Sequence, residues 1–476
     1  MPDGRPNILL VCTDQQRYDT LGAYGNPSVH TPAIDGLAAA GTLFERCYTA
    51  SPVCAPARAS MMTGVLPHGH GLWANGVALP PGQPVFSKQL ADAGYFTALA
   101  GKMHLAAAYG GRTETRYDDG IEHYAWAHDP AHRSPENAYH GWLQREHPEL
   151  WADPPPAPGG FDARSYDDMP TQAHFTTWVA DEVIDILENR PAGRPFFCWA
   201  NIFDPHHPFV APREYVERYR DADLPAPIRP NAPADHKPAI QDETSRETYG
   251  GALPGFLDYT AEQIRAFIAR YYAMVDLIDD QVGRILQSLD RLDLAEDTLV
   301  VFTSDHGEML GDHGQLLKGP LCYEGATRVP LILRWPGRVP AGVRRPEIAS
   351  LLDLPTTLLA AAGLGAPDRM TGRDVIAGPG AGYAVCEYRD SGHPLDPAAH
   401  VTMLATETHK LVAHHGPPAS ARPATGELYD LADDPDELVN RWDDPACAAV
   451  KADLLARLLD VLVAAEDRSA GREAFW

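Results

Sequence analysis

The hydrophobic pattern along the chain switches between two periods. Asn7 to Thr13 (NILLVCT) is an apolar run of strand length, as are Phe96 to Ala100, Phe196 to Ile202, Leu299 to Thr303 and Val329 to Leu333. Short runs without polar alternation predict strands buried on both faces. Between them the spacing becomes helical. Thr31 to Ala40 puts Ile34, Leu37 and Ala38 on one face, and Phe175 to Glu188 does so with Val179, Val183, Ile184 and Leu187. Ala261 to Leu289 sustains the pattern from Ile264 to Leu286, and Leu352 to Ala362 predicts a further helix. Strands alternating with helices predict an α/β fold: a large mixed, mainly parallel sheet sandwiched by helices.

Two stretches break the rhythm. Residues 106–173, rich in His, Asp and Pro and containing Pro154-Pro155-Pro156, read as a long surface loop or insertion, and so do residues 220–257. His123, His128, His132, His140 and His147 read as solvated loop positions. After about residue 375 the pattern changes again. Tyr383 to Glu387, Val401 to Thr406 and Lys410 to Val412 predict short strands, followed by a helix over Cys447 to Ala464. A catalytic domain over 1–375 and a smaller C-terminal α+β subdomain with antiparallel strands over 376–476 are expected. The run Asp433 to Glu437 reads as a solvated turn.

Composition narrows the class. The 476 residues are 44% hydrophobic and 22% charged, as in a folded globular protein. Lys plus Arg number 39 against 65 Asp plus Glu, a net charge of −26, which argues against nucleic acid or an anionic membrane as partner. Seven cysteines without a CxxC pair argue against a disulfide framework or structural zinc. The N-terminus has no signal-like apolar core, and no stretch nears the roughly 18 apolar residues of a membrane span. A cytoplasmic protein is expected. No pattern sets an oligomeric state.

Three constellations carry chemistry. Asp14 and Gln15 follow the first apolar strand, and Asp305 and His306 follow Val300 to Ser304. Ligands collect at the carboxyl ends of strands in open α/β sheets. Carboxylates, an amide oxygen and one imidazole favour Ca²⁺, Mg²⁺ or Mn²⁺ over zinc. The third is Cys54-Ala55-Pro56-Ala57-Arg58 through Thr63-Gly64. Pro56 suits a first helical turn and Gly64 an end, so Cys54 falls at a helix N-terminus that favours negative charge, with Arg58 one turn on.

The C-x-P-x-R pentad, with Gly101-Lys102-Met103-His104-Leu105, Asp204-Pro205-His206-His207-Pro208, Ser304-Asp305-His306-Gly307, Gly311-Asp312-His313-Gly314 through Lys318, and Glu427-Leu428-Tyr429-Asp430-Leu431, resembles the type I, formylglycine-dependent sulfatases of the alkaline-phosphatase-like superfamily. The blocks occur in family order over nearly the whole chain. The resemblance implies hydrolysis of a sulfate ester (a sulfated sugar or an aryl or alkyl sulfate), with phosphonate or phosphate ester hydrolysis on the same scaffold as the alternative. It implies that Cys54 is converted to Cα-formylglycine by a formylglycine-generating enzyme. It implies one divalent metal, Ca²⁺ with Mn²⁺ or Mg²⁺ as alternatives, held by Asp14, Gln15, Asp305, His306 and the modified Cys54. Many relatives carry Asp-Asp in place of Asp14-Gln15, and Asn in place of His306. Arg58 would stabilise the nucleophile, Lys102 and His104 would hold sulfate oxygens, and His206 or Lys318 would protonate the leaving group. His207 is the neighbouring alternative, and His70 a further candidate lining the pocket. The net charge favours a small or lightly sulfated substrate.

Overall fold

A computed structural model describes residues 4–151, 169–229, 237–248, 253–391, 398–415 and 425–465. The Pro154-Pro155-Pro156 run lies outside the described residues. The main sheet contains β1 (Asn7–Thr13), β2 (Thr42–Tyr48), β3 (Phe96–Gly101), β4 (His123–Trp126), β5 (Phe196–Ile202), β6 (Thr298–Ser304), the short β7 (Arg328–Val329), β8 (Leu331–Arg334) and β9 (Val343–Ser350). Its order is β9-β2-β8-β6-β1-β5-β3-β4, with β7 alongside β2. The strands run parallel except β7 and β8, which oppose their neighbours. The sheet is thus mixed and mainly parallel, as expected.

Alternation along β1 explains the two-sided core. Leu9 and Val11 pack into one apolar cluster with α3 (Phe175–Asn189) and α4 (Ala261–Arg291). Ile8, Leu10 and Cys12 point the other way, into a cluster with α2 (Cys54–Thr63) and α5 (Asp353–Ala361). Side chains alternate faces with period two, so an all-apolar strand requires cover on both sides. Two further helices are α1 (Pro32–Ala39), beside the sheet, and α6 (Ala448–Ala464). Thr260 and Gln263 close a capping box at the start of α4. Asp279, from the middle of α4, accepts bonds from the Ala33 and Ile34 amides at the start of α1.

A second, antiparallel sheet joins β10 (Tyr383–Arg389), β11 (His400–Thr406), β12 (His409–His415) and β13 (Thr425–Asp430) in chain order. Val385, Leu404 and Leu411 of this sheet share a cluster with Leu454 and Leu458 of α6. Tyr48, Val53 and Ile348 of the large sheet region share another with Cys386 and Met403, so the two sheets are packed together.

Several expectations need correction. Residues 106–173 are not simply a loop: they supply β4 and a helix over Ala138–Glu146. Residues 220–257 include a helix over Ile240–Arg246. Pro330 divides the expected Val329–Leu333 strand into β7 and β8, since proline has no amide to donate. Glu437 is not solvated: it is buried against Lys410. Among the described residues, no helix is long and apolar enough to cross a membrane.

Candidate active site

The site grows from adjacent strand ends. β1 and β6 are parallel neighbours with Thr13 opposite Ser304, so Asp14-Gln15 and Asp305-His306 leave the sheet side by side. The Asp305 amide donates to the Thr13 carbonyl (3.2 Å) and the Gln15 amide to Asp305 Oδ1 (3.1 Å). Gln15 adopts φ +68°, a sparsely populated region for a non-glycine residue and one that recurs at functional sites. β5 and β3 end alongside, contributing Asn201 and Gly101-Lys102. Gly101 (φ +103°) has no room for a side chain: a Cβ would lie 1.9 Å from the Asn201 carbonyl oxygen.

Cys54 opens α2, every residue of which is buried, and Gly64 ends it at φ +65°. Arg58, one turn on, is fully buried. Its Nε donates to Asp305 Oδ2 (2.8 Å), Nη2 to Asp14 Oδ2 (3.2 Å), and Nη1 to the Lys102 carbonyl and Asn201 Oδ1 (both 3.0 Å). Arg58 therefore clamps both carboxylates. Lys102 Nζ also donates to Asp14 Oδ2 at 2.7 Å. Burial alone would raise the Asp14 pKa, but the cations Lys102, Arg58 and Lys318 together hold it well below the carboxylate range.

On the Cys54 side, Lys318 Nζ lies 2.9 Å from Sγ, 2.7 Å from Gln15 Oε1 and 3.2 Å from His306 Nε2. His306 Nε2 is 3.1 Å from Sγ, and its Nδ1 donates to the Gly307 carbonyl (2.9 Å). Nδ1 is thereby committed to the backbone and Nε2 is the ring atom turned to Cys54, free to ligate once its proton is displaced. Burial and Asp14 push the Cys54 thiol up, yet Lys102, Lys318 and His306 prevail and its pKa falls below the ordinary cysteine value.

Glu114 shapes the Lys102–His104 loop. Its carboxylate accepts from the His104 amide (2.9 Å), the Leu105 amide, the Ala106 amide (3.1 Å) and Trp126 Nε1 (2.9 Å), and His104 sits at φ +65°. His128, expected in solvent, packs edge-on to His104 at 4.6 Å, and His132 lies 5.2 Å beyond it. Burial, reinforced by Lys102 and His128, pushes the His104 pKa well down.

His206 and His207 are half-buried and stacked, with ring centroids 4.1 Å apart. Burial and then Lys318 press both pKa values well below the histidine range. Gln15 Nε2 lies 3.4 Å from His207 Nδ1. His70 departs from its expected place. It is fully buried, with Nε2 3.0 Å from Ser60 Oγ and Nδ1 accepting from the Leu72 amide (3.1 Å), so both ring nitrogens are engaged inside the fold. Asp312 pairs with Arg17 (2.8 Å), and His313 stacks on Tyr323 (3.8 Å).

The sequence reading missed Asn201, Glu114 and Glu308. Asn201 carried a signal, as a polar residue at the end of an apolar strand, and Glu308 lies two residues beyond His306. Glu114 carried none.

The donor set suits a divalent cation. Asp14, Cys54, Asp305 and His306, all buried, each offer one atom within 4.8 Å of the others. Two anionic carboxylates, an imidazole lone pair and a nearby amide oxygen form a mixed, mostly oxygen site.

Comparison with known proteins identifies the family. The family model described as Sulfatase matches residues 6–364, and one described as N-sulphoglucosamine sulphohydrolase, C-terminal, matches residues 311–464. The chain is 30% identical over 470 residues to the uncharacterized sulfatase YidJ of Escherichia coli (strain K12), covering 96% of this chain and 87% of that protein. It is 32% identical over 379 residues to an arylsulfatase of Clostridium perfringens (strain 13 / Type A), covering 77% of each. The crystal structure of the phosphonate monoester hydrolase of Agrobacterium radiobacter superposes with a TM-score of 0.78 at 28% identity, over 98% of this chain and 97% of that one. With a family match over most of its length and that family's fold, the chain belongs to the sulfatases, the sulfuric ester hydrolases.

Proposed function

We propose that the protein hydrolyses a small or lightly sulfated ester at Cys54 matured to formylglycine, beside one divalent cation, Ca²⁺ with Mn²⁺ or Mg²⁺ as alternatives. The observation that carries this is the crowding of Lys102, Lys318, Arg58 and His306 around Cys54 and Asp14 in one buried cluster. Formylglycine, as its hydrate, supplies one hydroxyl to attack sulfur and a second whose deprotonation releases sulfate. The cation supplies Lewis acidity toward ester oxygens. Asp14, Gln15, Asp305, His306 and the matured Cys54 are the residues that would hold it.

The chain's own groups do the rest. Arg58 pairs with Asp14 and Asp305 and orients both carboxylates. Lys102 and His104 take the non-bridging sulfuryl oxygens, placing positive charge and a donor where negative charge concentrates. Burial and Lys318 keep His206 neutral, which leaves Lys318 as the proton donor to the departing alcohol, with His206 and His207 orienting it. Cys54 is 1% exposed, so a formylglycine-generating enzyme must act before the chain folds. A catalytic unit over 1–375 and a subdomain over 376–476 fit the start of the second sheet at Tyr383. Seven unpaired cysteines support a reducing, cytoplasmic setting. The net charge of −26 supports small substrates over long polysulfated ones and over nucleic acid.

Similarity to a phosphonate monoester hydrolase favours phosphonate ester hydrolysis as the second reading. Lys102 and His104 favour sulfate. Parallel kcat/KM values for an aryl sulfate and an aryl phosphonate decide, and a higher value for the phosphonate overturns the proposal. Peptide mass over Cys54 is expected about 18 Da below that of the cysteine form in native-host protein.

A further inference from the structure

We infer that Glu308 is a positioning residue that fixes which end of the Gln15 side chain faces the cation site. The inference deepens the metal-site reading above and rests on it.

Glu308 is fully buried, and its backbone is pinned from both sides. Its amide donates to the Gly325 carbonyl (2.9 Å), and its carbonyl accepts from Arg17 Nη1 (3.0 Å). The preceding Gly307 lies so close to the Gly325 carbonyl that a Cβ would stand 1.9 Å from the oxygen. The side chain therefore enters the site from a fixed root. Its Oε1 accepts from the Leu310 amide (2.9 Å) and the Leu317 amide (2.5 Å), and its Oε2 accepts from Gln15 Nε2.

This pattern has a direction. Two backbone donors occupy Oε1, and Oε2 stands as an acceptor against Gln15. The NH₂ end of Gln15 must then turn toward Glu308, where it also reaches His207 Nδ1 (3.4 Å). The oxygen end is left facing Lys318 Nζ, which only donates (2.7 Å) and which itself lies against Cys54 and His306. Both ends of the amide are thus specified, and the atom presented inward is an oxygen, the atom a hard cation takes. The Leu317 contact also ties the Lys318 loop to the same carboxylate, with Leu317 at φ +61°.

The inference fails or survives on an amide–carboxylate exchange. In Glu308→Gln the Leu310 and Leu317 amides claim the new amide oxygen, so its NH₂ opposes the NH₂ of Gln15. Gln15 must then rotate and turn NH₂ toward the cation. In the double variant Glu308→Gln/Gln15→Glu the donor and acceptor are exchanged, and an oxygen again faces inward. Ca²⁺ and Mn²⁺ are titrated calorimetrically into protein with unconverted Cys54, so turnover plays no part. Metal-free melting temperatures report on the fold. Glu308→Gln is expected to weaken metal affinity about 10–100-fold, the usual effect of losing a partner of a metal ligand, and the double variant to recover it. Wild-type affinity in Glu308→Gln, or a double variant no tighter than Glu308→Gln, overturns the inference. If Glu308→Gln is too unstable to titrate, the double variant is compared with Gln15→Glu, in which two carboxylates face each other. Tighter binding by the double variant then supports the inference, and equal or weaker binding overturns it. A wild-type protein that binds neither cation overturns the metal-site reading itself, and this inference with it.

Discussion

Lys318 Nζ stands 2.9 Å from Cys54 Sγ, and both side chains are buried. A cation this close to the nucleophile position stabilises negative charge there without contributing a nucleophile of its own. Cys54→Ala keeps the surrounding charges and removes only the reacting group. Its kcat for an aryl sulfate is expected to fall on the order of 10⁴-fold or more, with an unchanged far-ultraviolet circular dichroism spectrum. Steady-state assays check this, and retention of more than about a hundredth of the activity would refute Cys54 as nucleophile.

Lys318 can be separated from the residues that hold the sulfuryl group by varying the leaving group. A general acid matters most when the departing alcohol is a poor leaving group. Lys318→Met is expected to lower kcat/KM for an alkyl sulfate about 10²–10⁴-fold, and for 4-nitrophenyl sulfate far less. Lys102→Met is expected to impair both substrates alike. Equal losses for the two leaving groups in Lys318→Met would remove Lys318 from the proton-donor role.

The legible parts of this protein were those written locally. β1, β5 and β6 are apolar runs, and the residues immediately after β1 and β6 are the proposed ligands, so strand ends announced the site. β9 (VRRPEIAS) escaped because it lies at the sheet edge with an exposed first half, and its polar residues hide the strand period. His128 and His132 looked like solvated loop residues because nothing in their spacing reveals that they pack toward His104. Glu114 and Glu308 serve mainly backbone amides, and a carboxylate that recognises backbone leaves no complementary side chain to read. Lys410, Glu324 and Glu437 are separated by long stretches of chain, so their burial as one charged cluster belongs to the tertiary fold alone.

That cluster yields a stability prediction. Lys410 on β12 is fully buried, 2.6 Å from Glu324 Oε1 and 2.8 Å from Glu437 Oε1, and Tyr48 donates to Glu324 at 2.9 Å. Removing one member of such a buried set strands the others without compensation. Lys410→Met is expected to cost about 3–5 kcal/mol, seen as a melting-temperature drop of several degrees. Adding Glu324→Gln and Glu437→Gln to it is expected to recover part of that loss. A melting temperature unchanged by Lys410→Met would show the cluster to be energetically neutral.

His68 and Glu387 join the turn after α2 to β10. His68 Nδ1 lies 2.7 Å from Glu387 Oε1, and the His68 amide donates to Oε2 at 3.1 Å. The hydrogen bond to Glu387 raises the His68 pKa above its ordinary 6.5 against the effect of burial. For Glu387, burial acts upward, but His68 and Arg389 outweigh it and the pKa falls below 4.5. The signs differ. A histidine whose pKa is raised by folding contributes stability that is full below pH 6.5 and is lost as pH climbs through the raised value. A carboxyl whose pKa is lowered contributes stability that is full above pH 4.5 and is lost as pH drops through the lowered value. The pair is therefore strongest between about pH 4.5 and 6.5. The melting-temperature difference between wild type and His68→Gln is expected to be largest in that window and to shrink toward pH 9. Burial, the largest cause, pushes the His70 pKa down to about 3, so taking a difference removes most of its contribution. A difference that stays constant from pH 5 to pH 9 would mean that His68 supports the fold through packing alone, without its charge.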